Sequence, residues 1–327
     1  MTVLVTGVAG FIGFHAAQAL LRQGRDVIGV DCLTPYYDLA LKRARLDQLE
    51  AEAGFRFSNL DLGETEAFLE LVKREKPRKI LHLAAQAGVR HSLENPFAYS
   101  HSNVTGHLSV LEAARALGDQ LDHLVYASSS SVYGERGGQF KETDPVDAPV
   151  SLYAATKRAD ELMAQTYAHL YQLPQTGLRF FTVYGPWGRP DMAYYSFAER
   201  MHRGEPIDLF NRGQNRRDFT FIDDIVPHLV KILDDKPGPG ARIFNIGGSS
   251  PVDTLALVSA LEASFSIKAK TRLVEAQPGD VSNTCADTSK LEALYGPAPK
   301  TSLTDGIDAF AQWFTTWRSV SARVQTA

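Results

Sequence analysis

The first half of the chain alternates short apolar runs with longer amphipathic stretches. The apolar runs TVLVTG, DVIGVD, FRFSNLDL, KILHLAA, HLVYASSS and TGLRFFTVYG predict strands. The stretches between them predict helices at 11–23, 36–53, 64–75, 97–117 and 153–172. Strands that alternate with helices favour a parallel sheet covered on both faces. The alternation therefore predicts an α/β fold with a Rossmann-type doubly wound parallel sheet.

After Tyr184 this alternation stops, and glycine and proline become frequent, as in YGPWGRPD, DDKPGPGAR and EAQPGD. Such segments predict a smaller mixed α/β lobe over the carboxyl ends of the strands, where open α/β sheets bind ligands. The expected division is a Rossmann domain over 1–182 with a returning segment near 219–249, a lobe over 183–218 and 250–318, and a frayed tail over 319–327.

Composition excludes several classes of partner. The 327 residues carry a net charge of −4 with histidine neutral, and no basic run stands out, which argues against nucleic acid. There is no long uninterrupted apolar segment, so we expect no membrane span. The start MTVLVTG enters a strand pattern directly, without the regions of a signal peptide, so we expect a cytoplasmic protein. Cys32, Cys285 and the nine histidines show no ligand spacing, and no metal site is predicted.

A glycine-rich turn joins the first predicted strand to the first predicted helix. Its glycines allow a tight turn, a close backbone approach to a pyrophosphate and close packing of helix on sheet; the turn comprises Gly7, Gly10, Phe11, Ile12 and Gly13. The next strand ends in Asp31, whose carboxylate suits a ribose diol and repels a 2′-phosphate. The sequence therefore favours NAD, while Lys42 downstream keeps NADP open as an alternative.

The end of the third predicted strand carries a second carboxylate. Asp61, followed by Leu62 in SNLDL, lies where an adenine amino group could be met. The competing role for Asp61 is a helix cap.

The segment Tyr153-Ala-Ala-Thr-Lys157 begins the last long helix of the first half. Residues four apart share a helix face, so the phenol and the ammonium point the same way. A neutral phenol is a poor base at neutral pH, and a neighbouring cation favours the phenolate. The pair is therefore a candidate base that also borders the cofactor, although an ordinary helix face can show the same spacing.

Taken together, the glycine turn, the Tyr–Lys pair and the serine-ended strand ASSSSVYG resemble the extended short-chain dehydrogenase/reductases. The resemblance is to their NAD-dependent nucleotide-sugar epimerase and dehydratase group, and it covers nearly the whole chain. It implies that Ser129, five residues before Gly134, bridges the tyrosine and the sugar hydroxyl that is oxidised. It also implies that the HLAAQAGVR segment passes the nicotinamide, with the matching residues Ala84, Ala85 and Gln86.

Other segments extend the resemblance. The resemblance places Arg90, at the end of the HLAAQAGVR segment, near the anionic part of the substrate. Asn103 matches a residue that organises the local backbone in this family. The motif NRRDFTFIDDIV resembles the family's diphosphate site, whose arginine is Arg217, and QPGDV resembles a ribose contact through Asp280. Gln277 stands where many relatives have arginine. The helices 97–117 and 153–172 resemble those that pair in a family homodimer, so a homodimer is implied.

Within that family, RFFTVYGPWGRPDMA and AGVRHSLENP together resemble the UDP-glucuronate 4-epimerases, although His91 departs from an expected tyrosine. Thr182 replaces the asparagine that UDP-glucose 4-epimerases usually have, which leaves room for a carboxylate. Ser130 and Ser131 replace the Asp-Glu of resembling dehydratases and, at the second position, the Glu of resembling decarboxylases. Arg189 either meets the substrate phosphates or secures its own loop.

The resemblance implies a reversible C4 epimerisation of UDP-glucuronate to UDP-galacturonate. It passes through a 4-keto intermediate, with transient hydride transfer to tightly bound NAD. The alternatives are a UDP-glucuronate decarboxylase, another nucleotide-sugar epimerase or a 4,6-dehydratase. A non-catalytic dinucleotide sensor on the same fold is a further alternative, against which the Tyr–Lys pair argues.

Overall fold

A computed structural model describes residues 1–276 and 281–325 of the chain. Its strands are β1 (Thr2–Thr6), β2 (Asp26–Asp31), β3 (Phe55–Asn59), β4 (Lys79–His82), β5 (His123–Ser129), β6 (Pro174–Phe180), β7 (Thr182–Tyr184), β8 (Ile207–Leu209), β9 (Arg216–Phe221), β10 (Gly240–Ile246), β11 (Pro251–Asp253) and β12 (Thr271–Leu273). Its α-helices are α1 (Phe11–Arg22), α2 (Leu39–Glu50), α3 (Thr65–Glu75), α4 (His91–Glu94), α5 (Pro96–Tyr99), α6 (Gly106–Leu117), α7 (Leu152–Tyr171), α8 (Ala193–Arg203), α9 (Ile222–Asp234), α10 (Thr254–Phe265), α11 (Ser289–Tyr295) and α12 (Leu303–Gln325).

The main sheet has the order β10-β6-β5-β4-β1-β2-β3, and its neighbouring strands are parallel. Alternate side chains of β1 point to opposite faces. Val3 and Val5 pack with α1 and α9, whereas Leu4 packs with α3, α6 and α7. Because the chain reverses its direction of growth between β1 and β4, a crevice opens at their carboxyl ends. The predicted doubly wound α/β fold is confirmed.

The smaller lobe contains the sheet β11-β9-β7 and the strand pair β12-β8. The run TGLRFFTVYG was predicted as one strand, but at Phe181 it passes from the main sheet to the sheet of the smaller lobe. The Phe181 N–H still donates to Ile246 O of the main sheet at 2.9 Å, whereas the next residue, Thr182, pairs with Phe219 of the lobe. The single-strand prediction is wrong because the two halves of this run find different partners.

The chain returns to the main sheet where a returning segment was predicted near 219–249: α9 packs on α1, and β10 pairs with β6. The complete division into domains stays a prediction. The last helix runs to Gln325 and so includes most of the tail, 319–327, that we predicted to fray. Arg318, just before this tail, donates to Glu199 of α8 at 2.8 Å.

The predicted helix 97–117 is interrupted by a π-helical turn at Ser100–Thr105. Asn103 in this turn accepts from Gln86 N at 2.8 Å and donates to Thr156 Oγ1 at 2.9 Å. Its buried amide thereby joins the segment after β4 to α7, in agreement with the expected organising role. Single π-turns inside helices frequently mark functional sites.

His123 at the start of β5 is buried away from the crevice, and its Nε2 lies 2.8 Å from Thr176 Oγ1. Burial, assisted by the charge of Arg242, lowers the pKa of His123 to about 4. The unfolded chain protonates this ring below about pH 6.5, whereas the folded protein keeps it neutral. Above pH 6.5 neither state binds this proton, and His123 costs no stability. As the pH falls from 6.5 towards 4, protonation of the unfolded chain lowers the free energy of unfolding.

We predict that His123→Gln, which keeps a polar side chain able to hydrogen-bond Thr176, reduces the loss of unfolding free energy at acid pH by up to about 3 kcal/mol. Urea unfolding at pH 7 and pH 4 measures this difference. His169→Gln, at an exposed position of α7, is the control and should keep the wild-type dependence. An unchanged pH dependence in His123→Gln would contradict the assignment.

Candidate active site

A cavity of about 910 Å³ opens at the carboxyl ends of the central strands and extends to the lobe. Within the described ranges, it is lined by every residue predicted for the site: Gly7, Gly10, Phe11, Ile12, Gly13, Asp31, Lys42, Asp61, Leu62, Ala84, Ala85, Gln86, Arg90, Ser129, Ser130, Ser131, Tyr153, Lys157, Thr182, Arg189 and Arg217. Asp280 lies outside the described residues. The structure thus brings the predicted set together, and the individual roles stay predictions.

The glycine turn requires residues without side chains. Gly7 has a φ of 71°, and a Cβ on it would lie 2.7 Å from Ala84 N. A Cβ on Gly13 would lie 2.1 Å from Gly7 O. The turn leads directly into the N-terminus of α1, where unpaired N–H groups and the helix dipole favour an anion such as a pyrophosphate.

Asp31 braces this turn while it lines the cavity. Its Oδ2 accepts from Ala9 N at 3.1 Å and its Oδ1 from Leu33 N at 2.9 Å. Lys42 donates to Thr34 Oγ1 at 3.2 Å, on the same wall. The wall predicted to face the adenosine end of a dinucleotide therefore carries a carboxylate.

Asp61 secures the turn before α3. Its Oδ1 accepts from Gly63 N at 2.8 Å, and its Oδ2 lies 3.1 Å from His101 Nε2. The helix cap considered from the sequence is not formed, because the N-cap residue of α3 is Glu64 and the Asp61 carboxylate bonds within the preceding turn and to His101. The adenine contact stays a prediction.

Lys157 is held by two acceptors behind the cavity wall. Its Nζ donates to Ala127 O at 3.1 Å and to Asp160 Oδ2 at 3.0 Å, and Asp160 has no exposed surface. Tyr153, one turn earlier in α7, packs edge-on against Tyr99 with ring centroids 6.1 Å apart. Sequence reasoning missed Asp160, although its spacing of three from Lys157 places both on one helix face.

Two histidines lie behind this pair. Burial lowers the pKa of His82, and the neighbouring His107 and Lys157 lower it further. Burial also lowers the pKa of His107, against the attraction of Asp160. Both imidazoles are therefore neutral at physiological pH, which leaves Asp160 to balance the charge of Lys157.

The four serines have different neighbours. Ser128 donates to Glu161 Oε1 at 2.6 Å, and Glu161 pairs bidentately with Arg179 at 2.8 Å. Ser129 accepts from Ser131 N at 3.2 Å and so caps the short turn 130–133. Ser128 therefore faces a buried ion pair, whereas the next three serines shape the end of β5 at the cavity.

Arg189 secures its own loop and also lines the cavity. It pairs with Asp191 at 3.0 and 2.5 Å, and Tyr36 donates to Asp191 Oδ2 at 3.1 Å. Burial alone would raise the pKa of Asp191, but the charge and hydrogen bonds of Arg189 outweigh it and lower that pKa. No sequence pattern indicated that Tyr36 belongs here.

The lobe side of the cavity carries two further arginines. The Arg90 guanidinium lies 4.3 Å from the centre of the Phe210 ring, and Arg217 donates to Arg216 O at 3.1 Å. Both side chains line the cavity, and Arg217 is the arginine predicted to pair with the substrate diphosphate. The His91 ring lies 4.9 Å from that of Tyr36.

Among the residues that the structure describes, no group of three or more His, Cys, Asp or Glu could hold a metal ion. None of the described helices combines the length and apolarity needed to cross a bilayer.

A switch-point cavity, a crowded glycine turn and an adjacent Tyr–Lys pair define a Rossmann-type enzyme that uses a nicotinamide dinucleotide. Residues 3–247 match the model of the NAD dependent epimerase/dehydratase family, and the chain belongs to this family.

Individual relatives are similar over almost the whole chain. A probable UDP-glucuronate 4-epimerase of Rhizobium meliloti is 42% identical over 332 residues, covering 96% of this chain and 97% of that protein. UDP-glucuronate 4-epimerase 4 of Arabidopsis thaliana is 45% identical over 335 residues, covering 98% of this chain and 76% of that protein. A solved structure is also similar: UDP-glucuronic acid 4-epimerase from Bacillus cereus in complex with UDP-glucuronic acid and NAD. It superimposes with a TM-score of 0.91 at 34% identity and covers 97% of this chain and 100% of that chain.

We predict that Gly7→Ala removes most of the NAD that copurifies with the protein. The added methyl group would meet the backbone of residues 83–84 below 3 Å, which a turn cannot relieve by a side-chain rotation. Absorbance after denaturation measures the NAD content. Gly24→Ala has the same backbone strain, with a φ of 72°, but no atom within 4 Å, and should keep its NAD. Full NAD content in a folded Gly7→Ala protein would refute the assignment of the turn.

Proposed function

We propose that the protein interconverts UDP-glucuronate and UDP-galacturonate by epimerisation at C4. The observation that carries this proposal is the composition of the cavity. It combines the Tyr153–Lys157 pair with a wall of hydroxyls at Ser130, Ser131 and Thr182. The similarity to UDP-glucuronate 4-epimerases of bacteria and plants supports the substrate and the cofactor.

Tyr153 is the base that takes the proton of the C4 hydroxyl and later returns one. Lys157 favours the phenolate by its charge, and Asp160 and Ala127 O hold the ammonium in place. Ser129 bridges the phenol and the sugar hydroxyl. Acceptance of the C4 hydride, and its return to the opposite face, are the chemistry that NAD supplies when bound. Between these two transfers the 4-keto sugar turns about its diphosphate, which Arg217 secures.

The hydroxyl wall distinguishes this reaction from its rivals. The 4-keto sugar carries a carboxylate at C6, so it is a β-keto acid that tends to lose carbon dioxide. Ser130, Ser131 and Thr182 can donate to that carboxylate without placing a like charge beside it. A decarboxylase or a 4,6-dehydratase needs an acid at this wall to move protons at neighbouring carbons, and serine is far too weak an acid for that task.

We also propose a cytoplasmic homodimer. Leu108 of α6 and Leu162 and Leu170 of α7 are 40%, 47% and 59% exposed, and large apolar side chains on two neighbouring surface helices fit a self-interface. Cys32 and Cys285 are unpaired, as is usual in a reducing compartment. Light scattering of the purified protein measures the number of chains.

We predict that Tyr153→Phe lowers turnover of UDP-glucuronate by about two to four orders of magnitude, the usual contribution of general acid–base catalysis. Binding of UDP should be retained, because the ring still packs against Tyr99. Tyr171→Phe, at the exposed end of the same helix, is the matched control. Near-normal turnover in a folded Tyr153→Phe protein would mean that another group is the base.

We predict that wild-type protein converts UDP-glucuronate to UDP-galacturonate with little carbon dioxide. Thr182→Ala and Thr182→Val should each increase leakage to a UDP-pentose by about fivefold or more, the equivalent of the ~1 kcal/mol of one hydrogen bond. Chromatography of the sugar nucleotides measures both products. If the wild-type protein forms mainly UDP-pentose, the decarboxylase alternative is correct.

A further inference from the structure

Arg45 of α2 is a fully buried guanidinium with neutral partners. Nη1 donates to Ala9 O and to the Tyr37 hydroxyl, both at 2.7 Å, and Nη2 donates to Trp187 O at 2.7 Å and Gly188 O at 3.0 Å. None of these acceptors is a carboxylate. A buried charge without an ionic partner is costly, and here four hydrogen bonds offset that cost. The acceptors lie in separate segments of the chain, so the guanidinium joins these segments.

The Nη2 side of Arg45 holds the loop between β7 and α8. Three successive carbonyls of this loop face the Rossmann domain: Pro186 O lies 3.0 Å from His15 Nε2, and the next two accept from Arg45. Trp187 has a left-handed φ of 59°, a conformation that costs about 1–3 kcal/mol and persists only where its surroundings impose it. The loop is thus kept in a strained shape by donors from α1 and α2.

The Nη1 side of Arg45 holds the glycine turn. Ala9 lies inside this turn, between Gly7 and Gly10. Its N–H donates to Asp31, and its carbonyl accepts from Arg45. One planar side chain therefore spans the turn expected to bind pyrophosphate and the loop that comes from the lobe.

The same loop continues to Arg189 and Asp191 on the cavity wall. Their ion pair receives the Tyr36 hydroxyl from the segment after β2, on the cofactor side. A displacement of the carbonyls at 187 and 188 would therefore move Arg189 relative to the glycine turn. The position of the sugar-facing loop and that of the cofactor-facing turn depend on one guanidinium.

We propose that Arg45 is a positioning residue that couples the two halves of the cavity, so that bound UDP-sugar strengthens the retention of NAD and bound NAD strengthens the binding of UDP-sugar. This rests on the proposed function, because the second ligand is a UDP-sugar. Such coupling is reciprocal. It requires the fork of an arginine, since a lysine ammonium cannot meet acceptors on both sides in fixed geometry.

The test follows the release of NAD from the purified holoenzyme after desalting, with and without saturating UDP. Wild type, Arg45→Lys, Arg45→Met and Arg43→Met are compared; Arg43 is exposed two residues away on the same helix and controls for lost charge. In wild type and Arg43→Met, UDP should slow release by about 5- to 150-fold, the usual range of coupling. In Arg45→Lys, we expect release about tenfold faster and protection by UDP below about twofold.

Equal protection by UDP in wild type and Arg45→Lys overturns the proposal, as does a wild type that UDP does not protect. Faster release with an unchanged protection ratio also overturns it, because Arg45 would then stabilise only the turn. Circular dichroism checks that each variant is folded. If Arg45→Met does not fold, the comparison of wild type with Arg45→Lys is the one that tests the proposal. Product analysis of wild type with UDP-glucuronate is independent of this ratio, so a failure of the proposed function is recognised separately.

Discussion

The close approach of β1 and β4 at their carboxyl ends governs the arrangement of the whole cavity. Gly7 directly follows β1 and lies against the backbone of Ala84, where a Cβ has no space. Because no side chain intervenes, the turn lies beside the segment that follows β4, and α1 begins at the cavity wall. The chain then adds strands on either side of this contact, and the resulting crevice receives helix α7 and the lobe.

Buried charges position several of the elements around that crevice. Lys157 and Glu161, on one face of α7, reach Ala127 O and Ser128 of β5, and Glu161 also pairs with Arg179 of β6. Removing one partner of such a pair costs about 3–5 kcal/mol, because the other charge stays buried. These contacts hold α7 in register with β5, and they thereby place the tyrosine of this helix beside the serines that end the strand.

Local patterns were sufficient to predict the main sheet, the glycine turn and the candidate base. Each of these signals lies within a few residues: the alternation of runs and amphipathic stretches, the spacing of Gly7, Gly10 and Gly13, and the single helical turn between Tyr153 and Lys157. The same kind of signal also indicated Asp160, which we overlooked. The resemblance to a known family added the lobe residues, which no periodicity identifies.

What the sequence by itself determined is therefore the class of fold, the glycine turn and the candidate Tyr–Lys pair, because short-range periodicity encodes them. Only the tertiary structure decided the division of the run 176–185 between two sheets, the π-turn at 100–105, and the contacts of Tyr36 with Asp191 and of Arg45 with Trp187. These last two contacts join residues 155 and 142 positions apart. No local pattern specifies such partners, because they meet only when buried polar groups find donors and acceptors in the completed fold.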